Sequence, residues 1–153
     1  MKVLKGDIWD YWRDGYAIVV PTNIGWTSER RNPMGAGLAK QLLGRYPEAI
    51  DLWYGTICKM CRHQTPVVEY ETTRILLFPT KPLASKHWLS WQGPATIGQI
   101  TRSLNSLKQW MNDNLTLKVA IPLVGSGNGG LNKKVVLELL DNSKLNLTVV
   151  DWS

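Results

Sequence analysis

The stretch Pro122-Leu123-Val124-Gly125-Ser126-Gly127-Asn128-Gly129-Gly130-Leu131 packs four glycines into six residues, after an apolar segment and before an amphipathic one. Without a Cβ the backbone can adopt positive φ and come close to a ligand. Successive N–H groups in such a loop, beside the N-terminus of a helix, make a concave site for an anion. The plain alternative is a flexible turn. A second loop of this kind, Asn32-Pro33-Met34-Gly35-Ala36-Gly37-Leu38-Ala39, also leads into a helical pattern. Two such loops in one small domain can hold the two sides of a diphosphate. Neither ends in G-K-[ST], which argues against P-loop nucleoside triphosphate hydrolysis. Ahead of them, Asn23 in Val20-Pro21-Thr22-Asn23-Ile24-Gly25-Trp26 follows an apolar run. Its amide can both donate to and accept from sugar hydroxyls, or it can serve as a turn or capping residue.

Strand-to-helix junctions must position these loops. Tyr16 to Val20 reads as a buried strand ended by Pro21. A helix follows over 35–45 with Leu38, Ala39, Leu42 and Leu43 at helical spacing, and after Pro47 a second over 48–59. Val67 to Tyr70 and Arg74 to Phe78 read as strands, the second ended by Pro79. Ile97, Ile100, Leu104, Leu107 and Met111 mark one face of a long helix. Strands over 118–123 and 145–150 flank a helix over 133–140. Alternating strands and helices imply layered α/β architecture with a mostly parallel sheet. Ligands bind such sheets at the carboxyl ends of the strands, so the functional residues should follow Val20, Phe78, Pro122 and Val150.

At 153 residues, 44% hydrophobic and 20% charged, the chain fits one globular domain, 1–153, and excludes a disordered one. Its net charge of +6 and pI near 9.4 suit a polyanionic partner, a nucleic acid or a phosphorylated small molecule, or else a solvated basic surface. No apolar run reaches the ~20 residues of a membrane span, and the charged start Met1-Lys2-Val3-Leu4-Lys5 is no signal peptide, so a cytoplasmic location is expected. Cys58-Lys59-Met60-Cys61-Arg62-His63 supplies zinc-ligand types, with His87 as a fourth. The chain has only two cysteines and two histidines, and a buried cysteine at a helix end is the preferred reading; no metal or cofactor is expected. Asp10 and Asp14, with Asp7, share one face of a short helix, where capping and solvation account for them. Trp88 and Trp91 suit base stacking or packing on the helix after Thr96, with packing expected for one of them. His87 is either a general acid–base group or a solvated side chain, the latter preferred.

Gly6-Asp7-Ile8, the strand leading to Asn23, Met34-Gly35-Ala36-Gly37-Leu38-Ala39 and Gly125-Ser126-Gly127-Asn128-Gly129-Gly130-Leu131 together resemble the macro domain family over nearly the whole chain. With Phe78-Pro79-Thr80-Lys81, the resemblance points to the branch of DNA-ADP-ribosyl glycohydrolase antitoxins and related phage-encoded macro proteins. It implies a three-layer α/β/α sandwich with a mixed, mostly parallel sheet, binding ADP-ribose or ADP-ribosylated DNA or protein. The sequence itself gives no sign of oligomeric state; a monomer is the expectation.

By that resemblance Asp7 contacts the adenine amino group, Ile8 offers its backbone, and Trp152 flanks adenine. Asn23 faces the distal ribose. Met34 to Leu38 (Met34, Gly35, Ala36, Gly37, Leu38) and Gly125 to Asn128 (Gly125, Ser126, Gly127, Asn128) clasp the diphosphate and distal ribose, with Thr22, Pro122 and Gly129 in the same binding set. Lys81 falls where that branch has its catalytic lysine. A lysine among apolar groups loses solvation, its pKa falls, and the neutral amine can attack the anomeric carbon; the alternatives are a phosphate-binding or a surface lysine. The sequence departs from the family at Val20, where an asparagine is common, in a longer 27–32 segment with Glu29, Arg30 and Arg31, and in having no acid in the second glycine loop. Hydrolysis then rests on Lys81, on Asn23 or on the substrate. A reader that binds without turnover, an ADP-ribose 1″-phosphate phosphatase and a tryptophan-stacking nucleic-acid binder are the other readings.

Overall fold

Hydrophobic alternation along one central strand organises the molecule. In β2 (Ala17–Asn23) Ile18 and Val20 point into one apolar cluster, while Ala17 and Val19 point into a second on the opposite face. Period-2 side chains on a doubly covered strand produce this pattern. The first cluster is closed by α1 (Ile8–Arg13), α2 (Gly37–Arg45) and α3 (Ile50–Cys61). The second is closed by α4 (Ile97–Asn112) and α5 (Lys133–Asn142). The remaining strands are β1 (Lys2–Lys5), β3 (Val68–Glu69), β4 (Ile75–Lys81), β5 (Val119–Pro122) and β6 (Leu147–Asp151). These come from a computed structural model that describes residues 1–152; Ser153, included in the single-domain reading, lies outside the described residues.

The six strands form one sheet in the order β1-β6-β5-β2-β4-β3. Only the β3–β4 pair is antiparallel. This is the expected three-layer α/β/α sandwich with a mixed, mostly parallel sheet. The order reverses direction between β2 and β5, the position at which open α/β sheets form their ligand crevice. β5 pairs with β2 only at Ala17 and Ile18, so beyond Ile18 the two strands part and leave a gap at their carboxyl ends.

That parting corrects two expectations. Neither Pro21 nor Pro79 ends its strand: β2 runs to Asn23 and β4 to Lys81. Proline removes a ladder donor and is tolerated where a strand edge is unpaired. Pro21 lies past the β5 pairing, and Pro79 lies past β3, which pairs β4 only at Leu76 and Leu77. The extended ladder has an irregularity after Thr22, and Asn23 comes opposite Lys81. Strand β1 was not foreseen; its four residues are all exposed, so no apolar alternation marks it. Helix α3 starts at Ile50 and not at residue 48, because Glu48 has φ +61°. No helix among the described residues is long and apolar enough to cross a membrane.

Candidate active site

The gap between β2 and β5 opens into a cleft of about 1320 Å³. Both glycine-rich loops line it, as do the ends of β2, β4, β5 and β6. Every residue expected in the site lines this cleft except Asp7: Ile8, Thr22, Asn23, Met34 to Leu38, Lys81, Pro122, Gly125 to Gly129 and Trp152 are brought together. Asp7 lies next to Ile8 as the N-cap of α1, its Oδ1 accepting from the Trp9 N–H at 3.0 Å. Trp152 is largely exposed at the cleft edge.

The loop after β5 is wound by its own backbone. Ser126 N–H donates to the Leu123 carbonyl, Gly130 to Gly127 and Leu131 to Gly125. The space is tight at two glycines. A Cβ on Gly129 would stand 2.5 Å from Gly125 O and 2.7 Å from Ala95 Cβ; Gly125, at φ +80°, would meet Ile100 Cδ1 at 2.9 Å. Gly127 and Gly35 have nothing within 4 Å of a Cβ, and both line the cleft. The two loops approach each other: Asn128 Nδ2 lies 3.9 Å from the Cβ position of Gly37. Helix α2 starts at Gly37 with no side-chain cap and no acid in its first turn, so first-turn N–H groups remain for an anion. An uncapped helix start facing a glycine-wound loop has the donor set of a diphosphate clamp.

At the other end of the cleft, Asn23 is 6% exposed and organises the 23–33 loop. Its Oδ1 accepts from Gly25 N–H at 2.9 Å and from Asn32 Nδ2 at 3.3 Å, and its Nδ2 donates to Pro33 O at 2.8 Å. Asn32, 2% exposed, also donates to the Asn23 and Gly25 carbonyls, both at 2.9 Å. Thr22 Oγ1 is bonded to Tyr54 OH at 2.7 Å inside the core, so Thr22 presents backbone to the cleft. Lys81 Nζ donates to the Trp91 carbonyl at 2.7 Å, and partial burial lowers its pKa from the ordinary 10.5. Ile24 N–H donates to the Lys81 carbonyl at 3.3 Å, which ties the ends of β2 and β4 together.

Sequence reasoning missed an acid. Asp51, on the first turn of α3, is buried in the cleft wall, and Arg31 Nη1 lies 3.2 Å from both its oxygens. Arg31 comes from the long 27–32 segment, which is seated closely on α3: Asn32 N–H donates to Asp51 O, and a Cβ on Gly55 would stand 2.1 Å from Arg30 O. The only signal was a carboxylate on the apolar run Ile50 to Tyr54, with no hint of its partner.

His87 and the tryptophans also depart from expectation. His87 is not simply solvated; it stacks on buried Trp26 with centroids 4.4 Å apart, and its Nδ1 lies 2.7 Å from the Trp26 carbonyl. Neither Trp88 nor Trp91 packs in the core: they are 47% and 46% exposed, because the short 3-10 segment His87–Gln92 is anchored by Ser90 and His87 and turns both indoles outward. Cys58 is buried and its thiol is pushed up to about 12 by burial, a core cysteine beside Tyr54. No grouping of three or more His, Cys, Asp or Glu suited to a metal ion occurs among the described residues.

No family model matches the chain. Its sequence is 32% identical over 125 residues to the DNA ADP-ribosyl glycohydrolase of Mycobacterium tuberculosis (strain ATCC 25618 / H37Rv), covering 77% of this chain and 33% of that protein. The match to the protein of the same name from Mycobacterium bovis has the same extent. The chain thus spans about a third of the length of the curated relatives it matches. Among solved structures, the macrodomain of Mycobacterium tuberculosis DarG superimposes with TM-score 0.69 at 26% identity, covering 98% of this chain and 96% of that one. Thermosipho africanus DarTG in complex with ADP-ribose superimposes with TM-score 0.71 at 19% identity, covering 97% of this chain and 40% of that one.

Proposed function

On the premise that this chain is a macrodomain similar to that of DarG, we propose that it binds ADP-ribose in the β2–β5 cleft and hydrolyses its bond to DNA. The observation that carries the reading is the register of Lys81 with Asn23 at the floor of the cleft, with a partly buried amine held against the Trp91 carbonyl. The diphosphate sits between the two glycine-rich loops, and adenine lies towards Ile8 and Trp152. The distal ribose then reaches Asn23 and Lys81. Neutral Lys81 Nζ attacks the anomeric carbon, the bond to the linked group breaks, and its electron pair leaves with that group, which takes a proton from water. Water then cleaves the lysine adduct, releasing ADP-ribose and restoring the amine. The proposed chemistry calls on neither metal nor cofactor.

A second reading, a reader without turnover, is favoured by one feature: both polar atoms of Asn23 are already engaged inside the protein. Calorimetric titration of ADP-ribose into the wild type and Lys81→Ala, alongside release from ADP-ribosylated DNA, separates the two. Retained binding with release reduced by roughly 10²–10⁴-fold in the variant is expected. Binding with no release by the wild type supports the reader, and absence of binding sinks both.

A further inference from the structure

A second cavity of about 700 Å³ adjoins the cleft and shares Thr27, Pro33 and Trp91 with it. We propose that it is a leaving-group subsite that takes an unpaired nucleobase of a single strand on the indole faces of Trp88 and Trp91; this rests on the hydrolase reading. The position follows from Lys81. Its Nζ is bonded to the carbonyl of Trp91, so the residue that would carry out the reaction and the residue that joins the two cavities are in contact. A substrate cut at Lys81 has its ADP-ribose in the cleft, and its other half has to leave through a neighbouring space. The second cavity is such a space.

Its chemistry is that of a base platform. Trp88 and Trp91 expose nearly half their surface on a segment that is held firmly in place. His87 is stacked on Trp26, and Arg62 lies 5.4 Å from the centroid of the same indole. Ser90 Oγ accepts from Ala84 N–H and donates to His87 O. The backbone of Gly25 passes so close that a Cβ there would stand 2.3 Å from His87 O. Trp88 in turn meets His87 edge-on at 4.9 Å. Exposed indoles on a preorganised support lose little entropy on binding, and every base has a π-face to stack on them. The lining supplies hydroxyls from Thr27 and Ser28 that a phosphodiester can use, and Lys86, which precedes His87, and Arg30, two residues after Ser28, are exposed. The one acid there, Glu29, is 3.7 Å from Arg31. A paired duplex keeps its bases stacked away from such a platform, so the occupant is single-stranded.

The test uses two probes on the ADP-ribose-loaded protein: a short single-stranded DNA and an abasic oligonucleotide of the same length. Binding is followed by anisotropy and by quenching of tryptophan fluorescence. The base-bearing strand should bind and quench, and Trp88→Ala should weaken it by roughly 5- to 150-fold, the value of one base–aromatic stack. Trp88→Phe, which keeps a ring, should restore most of the loss. Equal binding of the abasic strand, or no loss in Trp88→Ala, overturns the proposal. So does a Trp88-dependent capture of an ADP-ribosylated peptide in place of the strand. Calorimetry with ADP-ribose alone reports on the cleft separately: wild type that binds ADP-ribose but not the strand refutes the subsite and leaves the hydrolase reading standing.

Discussion

Adding one methyl group at either of two glycines in the loop after β5 should lower stability in one case and leave it unchanged in the other, with the same binding result. Gly129→Ala places a Cβ 2.5 Å from Gly125 O and 2.7 Å from Ala95 Cβ. To reach ordinary contact near 3.4 Å the loop backbone must move by roughly 0.9 Å, against a wall it is bonded to. Ala95 N–H donates to Gly129 O at 3.0 Å, and Leu131 N–H to Gly125 O at 2.9 Å, so both bonds are stretched by that shift. Overpacking of this size costs about 1–3 kcal/mol. For a domain of this length that lowers Tm by about 2–12 °C.

Gly127→Ala is the contrast. Nothing lies within 4 Å of its Cβ and its φ is not in the left-handed region, so Tm should stay within about 2 °C of wild type. Gly127 nevertheless lines the cleft, and on the proposed clamp a Cβ there stands among the backbone N–H groups that bind the diphosphate. Both variants should therefore lose ADP-ribose affinity by about tenfold or more, since a single charge-assisted hydrogen bond is worth ~1.5–3 kcal/mol. Differential scanning calorimetry and isothermal titration measure the two quantities independently. Wild-type affinity in Gly127→Ala would refute the backbone clamp, and a wild-type Tm in Gly129→Ala would refute the tight winding of the loop.

Three further outcomes are expected. Because burial lowers the Lys81 pKa from 10.5, the neutral amine fraction rises with pH through the depressed value. The single-turnover release rate should rise with it and level off below pH 10.5, and a rate that falls across that window would contradict a lysine nucleophile. The unfolded chain holds this proton to higher pH than the folded one, so Lys81 favours folding increasingly as pH rises through the same window. Asp51→Ala removes the carboxylate between both of whose oxygens Arg31 is held. As Arg31 is one-third exposed, the cost is about 1–2 kcal/mol, below the ~3–5 kcal/mol of a fully buried pair, and should appear as a Tm lowered by about 2–8 °C. Of the two thiols, only Cys61 should react with Ellman's reagent in the native protein, both reacting after denaturation, because Cys58 is buried with its pKa pushed up to about 12.

The second glycine loop was legible because its geometry demands glycine at two positions, the Cβ contacts at Gly125 and Gly129 leaving no room for another residue; in the first loop the demand is the left-handed φ of +58° at Gly37. The central strands were legible because burial on both faces makes them apolar runs. What escaped reading depends on pairing between distant segments. Pro21 and Pro79 look like strand ends until it is known that β5 and β3 do not reach them. Strand β1 has no apolar alternation, and only its parallel pairing with β6 reveals it. Asp51 and Arg31 are 20 residues apart, and their charges say nothing of each other until Gly55 lets the 27–32 segment lie against α3. His87 reads as a solvated loop histidine because its stacking partner, Trp26, is 61 residues away.

The partners of the ionisable side chains narrow where the chemistry can lie. Asp51 is ion-paired with Arg31, and Asp151 lies 3.6 Å from Lys133, so each cleft carboxylate shares its charge with a cation. The oxygen of Asn23 takes two donors and its nitrogen gives one hydrogen to Pro33, which leaves a single N–H to orient a substrate hydroxyl. An amide so engaged can position a ribose but cannot take a proton from it. His87 faces the second cavity, with Nδ1 committed to the Trp26 carbonyl. Lys81 differs from all of these. Among the described residues it meets a neutral carbonyl and no carboxylate, and burial lowers its pKa. In the proposed reaction this amine is the nucleophile, and the 23–33 loop, through Asn23, is the surface against which the anomeric carbon is presented to it.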